Sequence, residues 1–323
     1  MLPNFEYERP SSVAQAVEGS SSEGAVLHAG GTDLLGCLRD GVFTAAKVVS
    51  LSGLDELRGI RATRDGGQRI GALTTLTEIA TDPLIAERYA ALSQAAASAA
   101  SPQLRNQGTI GGNICQRPRC WYFRGDWHCR RKGGNTCYAV VGENHFHCIF
   151  GGSGCYIVHP SDTAPALMAL GASVRIASRS GTRLVPIDEF FVLPADDIRR
   201  ENILQPGELV TEIVLPPMAA GTRSTYRKVR DRGAWDFALA GLAAVVSMDG
   251  DLVEQASLVL SGVAPKPWRA ADAEGALSGG PLDAESIARA AAASVEGAQP
   301  LEHNGYKVAL VRGLMEETLR ALA

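Results

Sequence analysis

The sequence predicts an α+β fold, and three observations carry that expectation. The chain opens with a helix pattern followed by an apolar strand. Two hairpin signals then appear, an alternating run at Ser173–Ala177 ending at Gly181 and an Asp249-Gly250 turn between two apolar runs. Finally, two helical segments close the chain behind those strands, as expected for a small sheet backed by helices.

Taken in order, Ser11-Ser12 can cap a short helix carrying Val13, Ala14, Ala16 and Val17 on one face. Gly24–His28 reads as a strand, Lys47–Leu51 as a second and Gln68–Leu73 as a third. Asp82-Pro83 combines an N-cap acid with a first-turn proline, and predicts one long helix running to Ala99. Ser101–Asn113 reads as a Gly-rich loop, Cys155–His159 as strand-like and Thr163–Leu170 as helical. Val210–Leu215 is a strand bracketed by Pro206-Gly207 and Pro216-Pro217, and the paired prolines mark a domain boundary at 217. Beyond it, Phe237–Met248 and Leu252–Gly262 read as paired strands, and Asp283–Val295 and Tyr306–Leu322 as helices.

Composition excludes several classes of function. A chain of 323 residues allows two or three domains at about 100 to 200 residues each. Apolar residues make up 46% and charged residues 20%, with mean hydropathy +0.00, so the chain can bury a core. Net charge is −4 and no basic block exceeds three residues, so the counterion release that drives nucleic-acid binding is missing. There is no apolar run of about 18 residues and no basic-then-apolar leader, so neither a membrane span nor export is expected from this sequence.

Cysteine is the anomaly. Six of the seven cysteines, Cys115, Cys120, Cys129, Cys137, Cys148 and Cys155, fall in one short stretch that reads as an insertion. Their spacing, C-x4-C-x8-C-x7-C-x10-C-x6-C, contains no C-x2-C pair, so zinc ribbons and fingers fit poorly, although a four-cysteine zinc site stays open. An iron–sulfur cluster fits better, because a cubane takes four thiolates from widely spaced loop positions. Arg117, Arg119, Arg124, Arg130, Arg131 and Lys132 lie close by and would offset the thiolate charge. A disulfide knot is disfavoured without an export signal. His145 and His147 receive no role, since a lone strand histidine is usually packed or exposed.

Two glycine loops complete the inventory. Ala29-Gly30-Gly31-Thr32-Asp33-Leu34 follows a strand, and paired glycines let backbone N–H groups converge on an anion. Gly108-Thr109-Ile110-Gly111-Gly112-Asn113 repeats the ingredients, so the two could grip a dinucleotide's phosphates from opposite sides. Neither has the Gly-x-Gly-x-x-Gly spacing of the doubly wound fold, nor a phosphate loop ending in Lys-Ser/Thr, which argues against a nicotinamide-type Rossmann domain and an NTPase. By themselves, Ser161-Asp162 reads as a helix cap and Lys228 as part of an alternating-charge run.

Several stretches together resemble one family, the FAD-binding medium subunit of molybdenum hydroxylases, to which the xanthine dehydrogenase, aldehyde oxidoreductase, carbon monoxide dehydrogenase and 4-hydroxybenzoyl-CoA reductase complexes belong. The landmarks are Ala29–Leu35, Ile70–Leu73, Gln103–Asn113, His159-Pro160-Ser161-Asp162, Pro206–Leu209, Tyr226–Arg232 and Ser261–Ala264. The resemblance implies a vanillyl-alcohol-oxidase-type FAD-binding domain of two α+β subdomains, residues 1–57 and 58–217, plus a small C-terminal α+β domain at 218–323. The cofactor-binding residues it implies are Leu27, His28, Ala29, Gly30, Gly31, Thr32, Asp33, Leu34, Ser101, Gly108, Thr109, Gly111, Gly112 and Asn113, with Asp162 and Lys228 added as FAD contacts.

The cysteine block at about 115–158 resembles the [4Fe-4S] insertion of 4-hydroxybenzoyl-CoA reductase and of periplasmic aldehyde oxidoreductases. That resemblance implies Cys120, Cys129, Cys137 and Cys155 as ligands, with Cys148 in place of Cys155 left open. It also implies an oxidoreductase component with no catalytic side chain of its own. Electrons would pass between the [2Fe-2S] clusters of a small subunit, FAD and an external acceptor or ferredoxin-like donor, while a large molybdenum-cofactor subunit handles the organic substrate. The complex would be cytoplasmic, or periplasmic through a partner's signal. The rivals are a non-redox nucleotide-binding module stapled by four-cysteine zinc and a stand-alone FAD oxidase.

Overall fold

Apolar runs and turn dipeptides assemble three separate sheets in a computed structural model describing residues 1–323. The first holds β1 (Glu6–Glu8), β2 (Ala25–His28) and β3 (Lys47–Ser50), all parallel in the order β1-β3-β2. The second joins β4 (Ile60–Ala62), β5 (Gln68–Gly71), β6 (Ser173–Ser178), β7 (Gly181–Pro186) and β8 (Leu209–Leu215) in the antiparallel order β4-β5-β8-β6-β7. The third is also antiparallel and joins β9 (Arg223–Val229), β10 (Ala240–Asp249), β11 (Leu252–Ser261) and β12 (Trp268–Arg269) in the order β12-β11-β10-β9.

Mixed helix and strand thus carry the α+β class. The helix at Val13–Ser20 starts where expected, with the Ser12 hydroxyl accepting from the Gln15 N–H. Both hairpins form, β6 pairing with β7 and β10 with β11 across the Asp249-Gly250 turn. Three helices, Ala271–Leu277, Ala284–Ala293 and Tyr306–Arg320, back the third sheet and share a core with Leu242, Leu258 and Leu260. The largest core runs from Ile70 and Ile213 of the second sheet to Val259 of the third through Leu92 and Leu167.

Four local expectations are corrected. The helix predicted over 82–99 is two, Pro83–Arg88 and Ala90–Ser98, because Tyr89 leaves helical geometry (φ −130°, ψ 48°) to bury its ring and donate its hydroxyl to the Pro216 carbonyl at 2.8 Å. The loop predicted at 101–113 contains two short helices, Pro102–Arg105 capped by Ser101 and Ile110–Ile114 capped by Thr109. Cys155–His159 joins no sheet; Tyr156 and His159 instead make single backbone bonds to Cys148 and Ala264. The strand expected from Phe237 begins at Ala240. The helix at Leu76–Thr81 escaped the sequence reading, although Thr75 and Glu78 form a full capping box that could have marked it.

The cysteine-rich segment is clamped to the C-terminal sheet and its helices. Asn304 donates to the carbonyls of His147 and Cys148, both at 3.1 Å, and the Lys307 ammonium donates to those of Phe146 (3.2 Å) and Gly262 (2.7 Å). Burial lowers the Lys307 pKa from 10.5 to about 7, against a smaller opposing influence of Cys148. Above pH 7 the unfolded lysine still holds a proton that the folded one releases, so stability rises with pH over this window. Denaturant unfolding at pH 7, 8 and 9 should therefore show the wild type gaining on Lys307→Met by up to about 1.4 kcal/mol per pH unit.

Candidate functional site

The two glycine loops meet backbone to backbone. A Cβ on Gly30 would fall 1.9 Å from the Gln107 carbonyl oxygen, so only glycine lets the first loop lie against the start of the second. Gly31, at φ +74°, turns the chain into the helix Leu34–Arg39. The second loop is pinned from behind, the N–H groups of Ile110 and Gly111 donating to the carbonyls of Thr74 and Ala72, both at 2.9 Å. The Thr109 hydroxyl caps the turn at the Gly112 N–H.

Together the loops wall an open cavity of about 650 Å³. Of the residues implied as cofactor contacts, Leu27, Ala29, Gly30, Gly31, Thr32, Asp33, Leu34, Gly108, Thr109, Gly111, Gly112, Asn113 and Asp162 all line it. His28, Ser101 and Lys228 do not. His28 is half-buried with an unpartnered Nδ1, and Ser101 caps its helix by accepting from the Leu104 N–H. Lys228 stands behind Asp162, ion-paired at 2.8 Å with both side chains almost fully buried. The Tyr226 hydroxyl donates to the second Asp162 oxygen at 2.8 Å. Burial pushes the Asp162 carboxyl up, and Lys228 and Tyr226 draw it back.

Asp33 lines the cavity but spends its carboxylate on the protein. It accepts from the Arg117 N–H (2.7 Å), from Arg124 (2.7 Å) and from Arg119. Burial alone would raise its pKa, yet these partners hold it below the usual carboxylate range. Asn113 likewise accepts from the hydroxyls of Ser161 and Thr163, each at 2.6 Å, tying the second loop to the helix Thr163–Ala169. Sequence reasoning missed the far wall, where Glu201, Leu204, Trp235 and Phe237 enter from loops with no recognisable motif. Trp235 has φ +54°, and its N–H donates to the carbonyl of Ala100, itself at φ +46°.

The four cysteines implied as ligands share a second, small cavity. Cys120, Cys129, Cys137 and Cys155 line it with Arg131 and His147, whereas Cys115 and Cys148 do not. It is small, about 20 Å³. No three Cys, His, Asp or Glu side chains close on the spacing that would hold a single ion. His147, given no role from sequence, sits with Nε2 3.2 Å from the Cys120 sulfur, and burial lowers its pKa to about 4.

Residues 3–218 match the FAD binding domain in molybdopterin dehydrogenase, and residues 224–322 match the CO dehydrogenase flavoprotein C-terminal domain. This chain belongs to that FAD-binding family. It is 37% identical to the aldehyde oxidoreductase FAD-binding subunit PaoB of Escherichia coli K12, over 98% of this chain and 97% of that one. It is 29% identical to the carbon monoxide dehydrogenase medium chain of Hydrogenophaga pseudoflava, over 99% and 97%. Among solved structures, a carbon monoxide dehydrogenase chain from H. pseudoflava that lacks the Mo-pyranopterin moiety superposes with TM-score 0.78 at 29% identity, covering 100% of this chain and 98% of that one. A reconstituted CO dehydrogenase from Oligotropha carboxidovorans superposes with TM-score 0.79 at 25% identity, with both chains fully covered. As a member of this family of FAD-binding medium subunits of molybdenum hydroxylases, the chain is an oxidoreductase component.

The buried pair at the back of the cleft yields a stability test for this family member. Lys228→Met strands the Asp162 charge and should destabilise the protein by about 3–5 kcal/mol in denaturant unfolding. Adding Asp162→Leu to Lys228→Met should recover part of that loss, because no charge is then left buried alone.

Proposed function

We propose that this chain is the flavoprotein electron-transfer subunit of a heteromeric molybdenum hydroxylase, holding FAD across its two glycine loops and a [4Fe-4S] cluster between Cys120, Cys129, Cys137 and Cys155. The observation that carries the reading is the joining of the loops at Gly30 and Gln107 on the wall of a cavity of about 650 Å³, in a chain whose first two thirds match an FAD-binding domain. Such a wall suits a dinucleotide, because glycine backbone can approach a diphosphate where a Cβ would intervene. The contacts proposed are those implied by the sequence, from Leu27 through Leu34, then Ser101, Gly108, Thr109, Gly111, Gly112, Asn113, Asp162 and Lys228. Within that set Lys228, His28 and Ser101 act from behind the wall. Lys228 pairs with Asp162 and favours its ionised form against burial, and Asp33 ties the first loop to the cysteine-rich segment.

The cluster reading is supported by the donor set, four sulfurs from separate loops around one cavity, with arginine beside them. Single-ion zinc is less well served, since thiolates must then close to about 2.3 Å from one point. Cys129–Cys137 and Cys155–Ile157, which form much of the cavity wall, contain no extended strand. Cys155 is favoured over Cys148 as the fourth ligand because it alone of the two lines the cavity.

When bound, FAD would exchange electrons one at a time with iron–sulfur centres or a ferredoxin-like donor and in pairs with an external two-electron acceptor, while the cluster would pass them singly. The chain's own residues position, charge-balance and desolvate them, and no side chain is assigned as acid or base. A large molybdenum-cofactor subunit and a small [2Fe-2S] subunit are the proposed partners, in line with relatives named as medium chains and FAD-binding subunits. No helix is long and apolar enough to cross a membrane, and we place the complex in the cytoplasm, from which an export signal on a partner would move it to the periplasm. The proposed subdivision at 57 and 217 is supported by the sheets, one of which falls in each of the three ranges.

Two assays on the complex purified with its partners test this reading. Iron and sulfide analysis should find about four of each beyond those carried by the [2Fe-2S] subunit; Cys155→Ser should lose most of that excess and Cys148→Ser should keep it. Gly30→Val should reduce bound flavin at least tenfold, read from the visible flavin band of the purified protein, and unchanged flavin would refute the cradle.

A further inference from the structure

The two cavities are joined by a buried line of charge that neither site accounts for. On the small-cavity side, Arg131 has a side chain only 1% exposed and lines the cavity with the four cysteines. Its Nε donates to Glu201 at 3.1 Å, a second guanidinium nitrogen also pairs with Glu201, and Nη1 donates to the Ile198 carbonyl at 2.6 Å. Glu201, itself only 5% exposed, lines the large cavity and accepts a second arginine, Arg117, at 3.0 Å. Arg117 then reaches the first glycine loop through its own N–H, bonded to Asp33. Both guanidiniums lie over the buried Phe123 ring, 5.2 and 5.9 Å from its centroid.

Several kcal/mol of desolvation per ion makes this an expensive arrangement for a purely structural link, which apolar side chains of similar volume would supply as well. Charge in a dry setting does something apolar packing cannot do, because its field reaches the neighbouring cavity with little screening. Arg131 contributes a fixed positive charge beside the sulfurs, and Glu201 holds it there while subtracting part of its field.

We propose that the Arg131–Glu201 pair sets the reduction potential of the group held by the four cysteines, Arg131 favouring its reduced, more negative form and Glu201 acting as the positioning residue that orients and tempers it. This rests on the four-cysteine reading above. Glu201 itself lines the large cavity, so the pair is a charged link between the two sites.

The test is a mediator-based redox titration of the complex, followed by electron paramagnetic resonance of the cluster signal. Arg131→Met should lower the cluster potential by the equivalent of at least a tenfold change in its one-electron equilibrium, about 59 mV. Glu201→Gln, which removes the opposing charge, should raise it, and Arg131→Lys should stay nearer the wild type than Arg131→Met. Opposite signs for the first two variants are a signature that a structural role does not produce. Equal potentials in wild type and Glu201→Gln, or shifts of the same sign in both charge-removing variants, would overturn the proposal. Should Arg131→Met fail to keep its iron, the sign of the Glu201→Gln shift decides by itself. A wild-type complex with no iron and sulfide beyond those of its [2Fe-2S] subunit is a separate result, which refutes the four-cysteine reading.

Discussion

The contact between Gly30 and the Gln107 carbonyl is the constraint on which the rest of the molecule hangs. With a Cβ 1.9 Å from that oxygen the two loops could not touch, and the first sheet and the second would have no common wall to enclose a cavity. Everything nearby is built to hold this junction. Gly31 turns the chain at positive φ, and the second loop hangs by backbone bonds from Thr74 and Ala72. The Asp33 carboxylate ties the first loop to three arginines of the cysteine-rich segment.

Charge is distributed around that junction in an unusual way for a chain of modest net charge. Asp33 and Glu201 face Arg117, Arg119, Arg124 and Arg131, two acids against four bases, in a region where burial makes each unpaired charge costly. The excess of positive charge lies between two cavities, each proposed to take an anionic group, a diphosphate on one side and a thiolate-bound cluster on the other. Asp162 and Lys228, by contrast, balance each other and finish the back of the cleft.

Much of the fold was legible because its signals are local. Ser12 caps the first helix, Asp249-Gly250 makes the long hairpin, and the Ser173–Ala177 alternation forms a strand. Where local signals and tertiary contacts compete, the contacts win. Asp82-Pro83 does start a helix, but Tyr89 breaks it, because burying that ring and bonding its hydroxyl to Pro216 requires a non-helical backbone. Cys155–His159 has strand-like residues and no neighbour to pair with, so it forms no ladder.

The candidate site divides along the same line. The sequence by itself determined the glycine loops and the cysteine run, because a backbone that must pass close to another, or donate sulfur, can be built from few residue types. It left open whether Cys148 or Cys155 faces the other three cysteines, and it was silent on Glu201, Trp235 and His147. Those placements were decided only by the tertiary structure, since each depends on which loops come to lie side by side. A side chain contributed from a distant segment carries no period and no spacing that one stretch of sequence could display.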